Sequence, residues 1–307
     1  MNHYNSPGVA LAKLLQHIEG AYAPNTIRAY RADMQEFIRY CEQVGVCALP
    51  AKPMNVANFL TQSATTGVKA STIKRKESSI SAIHRLSYLE DPTKHPEVRI
   101  AMRKVNRKLG TRFSQAHPID RSMFEKMLDC CGDDLRGKRD RLLLRLAFET
   151  MRRRSELVSL RVQDWMPLPN GESQILLQAS KTDQTGFGIP IRLSDECSQA
   201  IEDWLSAAKL SEGSLLRGVK GTNVTAGLNS GQVCRIFKKL AKQAGLQSSI
   251  ANKISGHSTR IGGAQELLRD GASIAQIMAK VGWTKVDTVM RYVGLTPIEA
   301  INRSAQY

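Results

Sequence analysis

The sequence predicts a mainly α protein with a small β-sheet, arranged as two domains. Three observations carry that prediction. Apolar residues recur at helical spacing through most of the chain, alternating patterning is confined to one stretch after residue 170, and a polar segment ending in proline separates two blocks of helices. A chain of 307 residues is longer than one ordinary core needs, and a hydrophobic content of 42% is enough for two. The domains are read as a helical N-terminal domain over 1–110, a linker over 111–119 and a second domain over 120–307.

Taken in order, "PNTIRAYRADMQEFIRYCEQVG" opens at Asn25, read as the N-cap. Ile27, Tyr30, Met34, Phe37, Ile38, Cys41 and Val44 follow at helical spacing before Gly45 ends the pattern. "STIKRKESSISAIHRLSYL" sets Ile73, Ile80 and Ile83 on one side and Lys74, Arg75 and Lys76 on the others. "PEVRIAMRKVNRKLG" carries a stripe of Val98, Met102, Val105 and Leu109, with Arg99, Arg103, Lys104, Arg107 and Lys108 around it. Beyond the linker, in "GTRFSQAHPI", a helix is predicted from Asp120, and "SMFEKMLDCC", "RDRLLLRLAFETM" and "RRSELVSLRV" continue the pattern. "SQILLQA" and "GFGIPI" flank the turn-rich "SKTDQT", which predicts a β-hairpin with Lys181 at its bend. Helical spacing returns in "SDECSQAIEDWLSAAK", in "SGQVCRIFKKLAKQAG" and from His257 onward.

Charge narrows the function. Lys and Arg number 44 against 28 Asp and Glu, a formal +16, and the isoelectric point is near 9.8. A chain that basic usually has a polyanionic partner, of which nucleic acid is the commonest. Both halves share the excess, with 17 against 8 in residues 1–117 and 27 against 20 in the rest. Arg28, Arg31, Lys74, Arg75, Lys76, Arg103, Arg107 and Lys108 are the candidate DNA-binding residues of the N-terminal helices. The six cysteines lack CxxC spacing and read as reduced, mostly buried thiols rather than a disulfide framework. The first 20 residues lack a signal-peptide apolar core, and no run approaches the roughly 18 apolar residues of a membrane span. A soluble, cytoplasmic, DNA-associated protein with no membrane partner is expected.

"GHSTRIGGAQELLRDG" concentrates the candidates for chemistry. On a helix starting near His257, His257 and Arg260 stand three apart on the side of the Ile261, Ala264 and Leu268 stripe, so both are expected to face inward. A buried guanidinium needs an anion. That anion is either a ligand at the helix N-terminus or a structural aspartate, and this segment leaves both open. In "ETMRRRSELVSL", Arg153 stands three before Glu156 and can share its helix face, while Arg152 and Arg154 are assigned to solvated surface. In "VDTVMRYVG", Val286, Val289, Met290 and Val293 form the stripe, and Tyr292 falls roughly 110° from its centre at 100° per residue. Tyr292 is therefore expected off the packing side. Arg291 has no assigned role.

The ordered set Arg153-x-x-Glu156, Lys181 in a β-turn, His257-x-x-Arg260, Trp283 and Tyr292 resembles the signature of the tyrosine site-specific recombinases. The likeness is densest in "SGHSTRIGGAQELLRDGASIAQIMAKVGWTKVDTVMRYV" and includes the nine-residue step from Trp283 to Tyr292. It covers the chain from about residue 118; the N-terminal helices match only in general pattern. Three departures stand out. Most of that family has His where Trp283 stands, and a subset has Trp, which can donate but not accept a proton. The common Thr-Gly-apolar-Arg lead-in is here Thr150, Met151, Arg152, Arg153. Only 15 residues follow Tyr292, room for a short helix over about Thr296 to Arg303 in contact with a neighbouring subunit.

The resemblance implies a C-shaped clamp on duplex DNA, built from a helical core-binding domain and a DNA breaking-rejoining catalytic domain. Its implied roles suit the residue types. Attack by a tyrosine hydroxyl passes through a pentavalent phosphorus with extra negative charge, which the guanidinium forks of Arg153 and Arg260 match. His257 and the Trp283 indole N–H are further donors. A phenol with pKa near 10 needs a proton acceptor, and His257 is that candidate. Lys181 is the candidate acid for the departing 5′-hydroxyl, and Glu156 orients its neighbours. The implied product is a 3′-phosphotyrosine, which stores the bond energy for religation. No GxxxxGK[ST], no HExxH and no evident carboxylate cluster for Mg²⁺ occurs, so neither cofactor nor metal is expected. The expected partners are duplex DNA with a specific site and, on that DNA, a homo-tetramer that passes through a Holliday junction; the free protein is expected to be a monomer. Two rivals are a non-enzymatic DNA-binding regulator, which has no need of these residues together, and a type IB topoisomerase, which relaxes DNA without a defined site.

Overall fold

The computed structural model describes residues 6–110, 115–170, 172–177 and 188–293. The chain divides into two compact units, 1–114 and 115–307.

The first unit is all α: α1 (Pro7–His17), α2 (Pro24–Gln43), α3 (Pro53–Ser63), α4 (Ala70–Leu86) and α5 (Pro96–Leu109). Four of the five open on proline, whose missing N–H costs nothing in the first turn and whose φ is preset for the helix. For that reason α2 starts at Pro24 with Ala23 as N-cap, not at Asn25; Asn25 Oδ1 instead accepts from Arg28 Nη1 at 2.9 Å. Its core joins Met34, Phe37 and Cys41 to Ile73, Ile80, Val98 and Val105, as the stripes predicted. Helices α1 and α3 add Leu11, Leu15, Val56 and Leu60.

The cationic faces of this unit divide. Arg28, Arg31, Arg103, Arg107 and Lys108 are exposed. Lys74 is exposed and paired with Glu77 at 2.6 Å, while Arg75 grips the buried Asp33 through Nη2 at 2.9 Å and Nε at 3.1 Å. Lys76 departs from the expected solvent face. It is buried, with Nζ 2.6 Å from Glu36 Oε1 and 5.3 Å from the Phe59 ring centroid. The cause is helical phase: residue 76 lies three after Ile73 and four before Ile80, inside the apolar stripe, so its ammonium needs a partner there.

The second unit contains α6 (Arg121–Asp129), α7 (Leu135–Thr150), α8 (Arg154–Ser159), β1 (Trp165–Pro167), β2 (Ser173–Leu177), β3 (Ile189–Leu193), α9 (Asp195–Ala208), β4 (Val219–Lys220), β5 (Asn223–Val224), α10 (Ser230–Gln243), α11 (Ser248–Ala251), α12 (Ser258–Arg269), α13 (Ile274–Val281) and α14 (Val286–Val293). Asp120 caps α6, its Oδ1 accepting from Met123 N at 2.8 Å. Strands β2 and β3 pair antiparallel from Ser173↔Leu193 to Leu177↔Ile189, so the arms of the predicted hairpin are in register. Its bend, with Lys181, lies outside the described residues, as does the stretch from Thr296 to Arg303. Strand β1 adds a third strand beside β2, and its three residues are too short to give a sequence signal.

The end of the segment read as a linker is built into the second unit. His117 N donates to Lys253 O at 3.1 Å and Ile119 N to Ser258 O at 3.0 Å, and Ile119 is fully buried. Gly262 makes this possible, because a Cβ there would collide with the Ile119 carbonyl.

Candidate active site

The site begins where α7 ends. Met151 turns the chain in the left-handed region, φ 51°, a conformation that costs methionine about 1 kcal/mol more than glycine. The turn sends its carbonyl toward α12 and buries its side chain against Gly263. Two residues on, Arg153 is the N-cap of α8 with an extended ψ of 147°. The buried Glu156, third in that helix, accepts from Arg153 N at 2.8 Å and from Arg153 Nη1 at 2.7 Å. The expected pairing therefore comes from a helix cap rather than from a shared helix face. The Arg153 side chain is 30% exposed, which leaves part of its guanidinium open to solvent.

His257 is the N-cap of α12 and does not lie within its first turn. It is therefore exposed, not inward-facing as expected, and no described residue hydrogen-bonds its ring. Loss of water around the ring, then the positive charges of Arg260, Arg154 and Arg153, hold its pKa below the ordinary 6.5. Arg260 does face inward, at 2% exposure. Its Nη1 donates to Met151 O at 2.6 Å, its Nη2 donates to Val281 O at 3.2 Å, and its Cζ stands 5.7 Å from the Trp283 ring centroid. The structural-aspartate alternative is not realised: among the described residues no carboxylate is within ion-pair distance of Arg260. Burial first, then the charges of Arg153 and Arg152, lower its pKa to about 10.

Trp283 follows α13 through Gly282, φ 73°, and is buried, with no described residue accepting from its indole N–H. Tyr292, on α14, is half-buried and stacks on Trp283 with ring centroids 5.1 Å apart and planes 16° apart. It thus leans on the small core around Ala264, Ile277 and Val289 more than its helical angle predicted. Val286 is 53% exposed, so the buried stripe of α14 is Val289 and Val293; Val286, as the first residue of the helix, overhangs the core. Gln265 Nε2 donates to Tyr292 O at 3.0 Å and ties α14 to α12, a contact with no sequence signal.

Of the two arginines assigned to solvent, Arg154 is exposed, its Nη1 3.3 Å from Cys234 Sγ. Arg152 is buried at 4% exposure and donates from Nη2 to Lys280 O at 3.2 Å. The turn at Met151 directs it inward. Its one signal in the sequence was an arginine where the recombinase lead-in commonly has an apolar residue.

Glu156 contacts Arg153 alone, while its negative charge acts on Arg152 and Arg260 against the mutual repulsion of the three guanidinium groups. The cluster concentrates positive charge beside a stacked phenol, an arrangement chemically suited to phosphoryl transfer to tyrosine. Among the described residues no three His, Cys, Asp or Glu side chains are grouped to hold a metal ion, and no described helix is long and apolar enough to cross a membrane.

Residues 118–297 match the Phage integrase family, and residues 13–90 match the Phage integrase, N-terminal SAM-like domain. The chain belongs to the phage integrase family and is a tyrosine recombinase, a catalytic DNA strand transferase. It is 30% identical over 293 residues to an integrase/recombinase xerD homolog of Selenomonas ruminantium, covering 92% of this chain and 84% of that one. It is 26% identical over 292 residues to the recombinase Cre of Escherichia phage P1, covering 89% and 84%. Its fold is similar to that of the XerH site-specific recombinase, solved bound to palindromic difH substrate as a post-cleavage complex. The TM-score is 0.69 at 17% identity, covering 96% of this chain and 83% of that one.

Proposed function

We propose that the protein cuts and rejoins DNA at a specific site by attack of the Tyr292 hydroxyl on a phosphodiester. The observation that carries this reading is Arg260, a buried guanidinium that no carboxylate among the described residues pairs, set against the Trp283 ring on which Tyr292 stacks. The Tyr292 oxygen forms a bond to phosphorus as the P–O5′ bond breaks, giving a 3′-phosphotyrosine and a free 5′-hydroxyl. Arg153 and Arg260 meet the growing charge on the non-bridging oxygens, with the Trp283 N–H as a further donor. His257, neutral and with no ring hydrogen bond to a described residue, takes the phenol proton, and Lys181 delivers one to the leaving oxygen. Glu156 holds Arg153 in place. The likeness to recombinases over nearly the whole chain favours exchange at a defined site over simple relaxation. Reciprocal exchange between two duplexes cuts four strands, and one tyrosine per protomer then requires four copies, working through a Holliday junction. Such a protein acts in the cytoplasm, on the DNA it recombines.

The test is a half-site duplex nicked so that the cleaved end diffuses away. Wild-type protein should leave an adduct that survives denaturant and forms without metal or ATP; no adduct overturns the reading. Relaxation of a supercoiled plasmid that lacks the site would favour the topoisomerase instead.

The pH dependence follows from His257. A pKa held below 6.5 keeps the imidazole unprotonated at neutral pH, so cleavage at subsaturating DNA should hold its rate down to about pH 6.5 and fall on the acid side. The His257→Gln variant should lack that acid limb.

The exposed cations of the first unit are proposed to run along phosphates. Arg103→Ala and Arg107→Ala should each reduce the salt dependence of binding by about 0.9 in log–log slope. Lys76→Met, which removes a buried and already paired ammonium, should leave that slope unchanged.

A further inference from the structure

We infer that Arg152 is a positioning residue for strand cleavage: together with Arg260 it closes the carbonyl end of α13 and so fixes the Gly282–Trp283 turn against which Tyr292 stacks. The inference rests on the cleavage reading above. A helix leaves its last carbonyls without partners inside the helix, and cations are favoured at that end. In α13 two of those carbonyls are taken by arginines from elsewhere in the chain: Lys280 O accepts from Arg152 Nη2 and Val281 O from Arg260 Nη2, each at 3.2 Å. One guanidinium comes from the turn between α7 and α8 and the other from α12, so both segments that carry candidate phosphate-binding arginines converge on the turn before Trp283.

The fit is close. Arg152 Nη1 would stand 2.7 Å from a Cβ at residue 282, so a side chain there would have to push the guanidinium aside. Arg152 is also poorly satisfied for a buried cation. Among the described residues its Nε has no hydrogen-bond partner, and no carboxylate is within ion-pair distance. On stability alone an apolar side chain would suit this position better, because a buried charge that no described carboxylate pairs is destabilising. What the arginine adds is a donor that holds α13's end in register with Arg260. Without it the Lys280 carbonyl is unpartnered, space opens beside Gly282, and Trp283 and the Tyr292 ring are free to shift together. A displacement of about 1 Å of a reacting group is enough for about a 100-fold loss of rate.

The experiment uses the full-length protein and the nicked half-site, with adduct formation followed in a single turnover at saturating DNA. Arg152→Met should cleave about 10- to 100-fold more slowly, bind the half-site within about 3-fold of wild type, and melt no lower than wild type. Arg152→Lys, which keeps the charge and one donor, should fall between the two, about 3- to 10-fold below wild type. A wild-type rate in Arg152→Met overturns the inference. So does a rate loss matched by an equal loss of DNA affinity or of melting temperature, which would mark a purely structural residue. If Arg152→Met does not fold, Arg152→Lys decides alone, and a wild-type rate there overturns it. Failure of the wild type to form adduct would refute the cleavage reading itself; adduct from wild type at an unchanged rate in the variants refutes only the role of Arg152.

Discussion

Tyr292→Phe is expected to form no detectable adduct with a nicked half-site, a loss of more than about 1,000-fold, equivalent to about 4 kcal/mol of transition-state stabilisation. The substitution removes one oxygen and leaves the ring where it is. In the wild type that ring is half-buried, stacked on Trp283, and its hydroxyl bonds to no described residue. Nothing in the packing depends on the oxygen, so Tyr292→Phe should melt within a few degrees of wild type and bind DNA with unchanged affinity. The loss would then be purely chemical. Adduct from the phenylalanine variant would place the nucleophile elsewhere and sink the mechanism.

The second large effect is expected at Arg260. Arg260→Lys should slow cleavage by about 100- to 1,000-fold, the range seen when one donor to a developing oxyanion is removed. The charge is kept, but the fork is not. A lysine cannot bond Met151 O and Val281 O and still offer a planar face to Trp283. Burial also lowers a lysine pKa from a starting value nearer neutrality than that of arginine, so part of the charge is lost as well. Arg260→Met sharpens the test through stability. If the guanidinium is there for its anion, the methionine variant should be inactive yet unfold in urea at the same or a higher midpoint, because a buried charge that no described carboxylate pairs is a burden on the fold. A rate within about 3-fold of wild type in either variant would remove Arg260 from the reaction.

Much of this site could be read from the chain. Arg153 and Glu156, and His257 and Arg260, are three apart, and such local spacings survive folding even when the element differs from the one expected. Arg153 and Glu156 do meet, but across a helix cap, because the turn at Met151 restarts the chain before α8. His257 sits at the helix boundary, and boundaries are where periodicity says least, so its predicted inward direction failed while that of Arg260 held. Lys76 and Arg152 misled for a shared reason. Within a run of three cations the eye reads surface, although helical phase at Lys76 and a left-handed turn before Arg152 send one member of each run inside.

By itself the sequence determined the helical character, the strong positive charge, the hairpin arms and the order of the chemistry-bearing residues, because these are set by composition and by spacing within a few residues. The tertiary structure alone decided which cation of each run is buried and what it touches. Arg260 is satisfied by carbonyls 109 and 21 residues away, Arg152 by one 128 residues away, and the stack of Tyr292 on Trp283 exists because α14 folds back over the turn after α13. A buried charge is stabilised or left wanting by whichever groups the fold brings against it, and those groups have no periodicity along the chain.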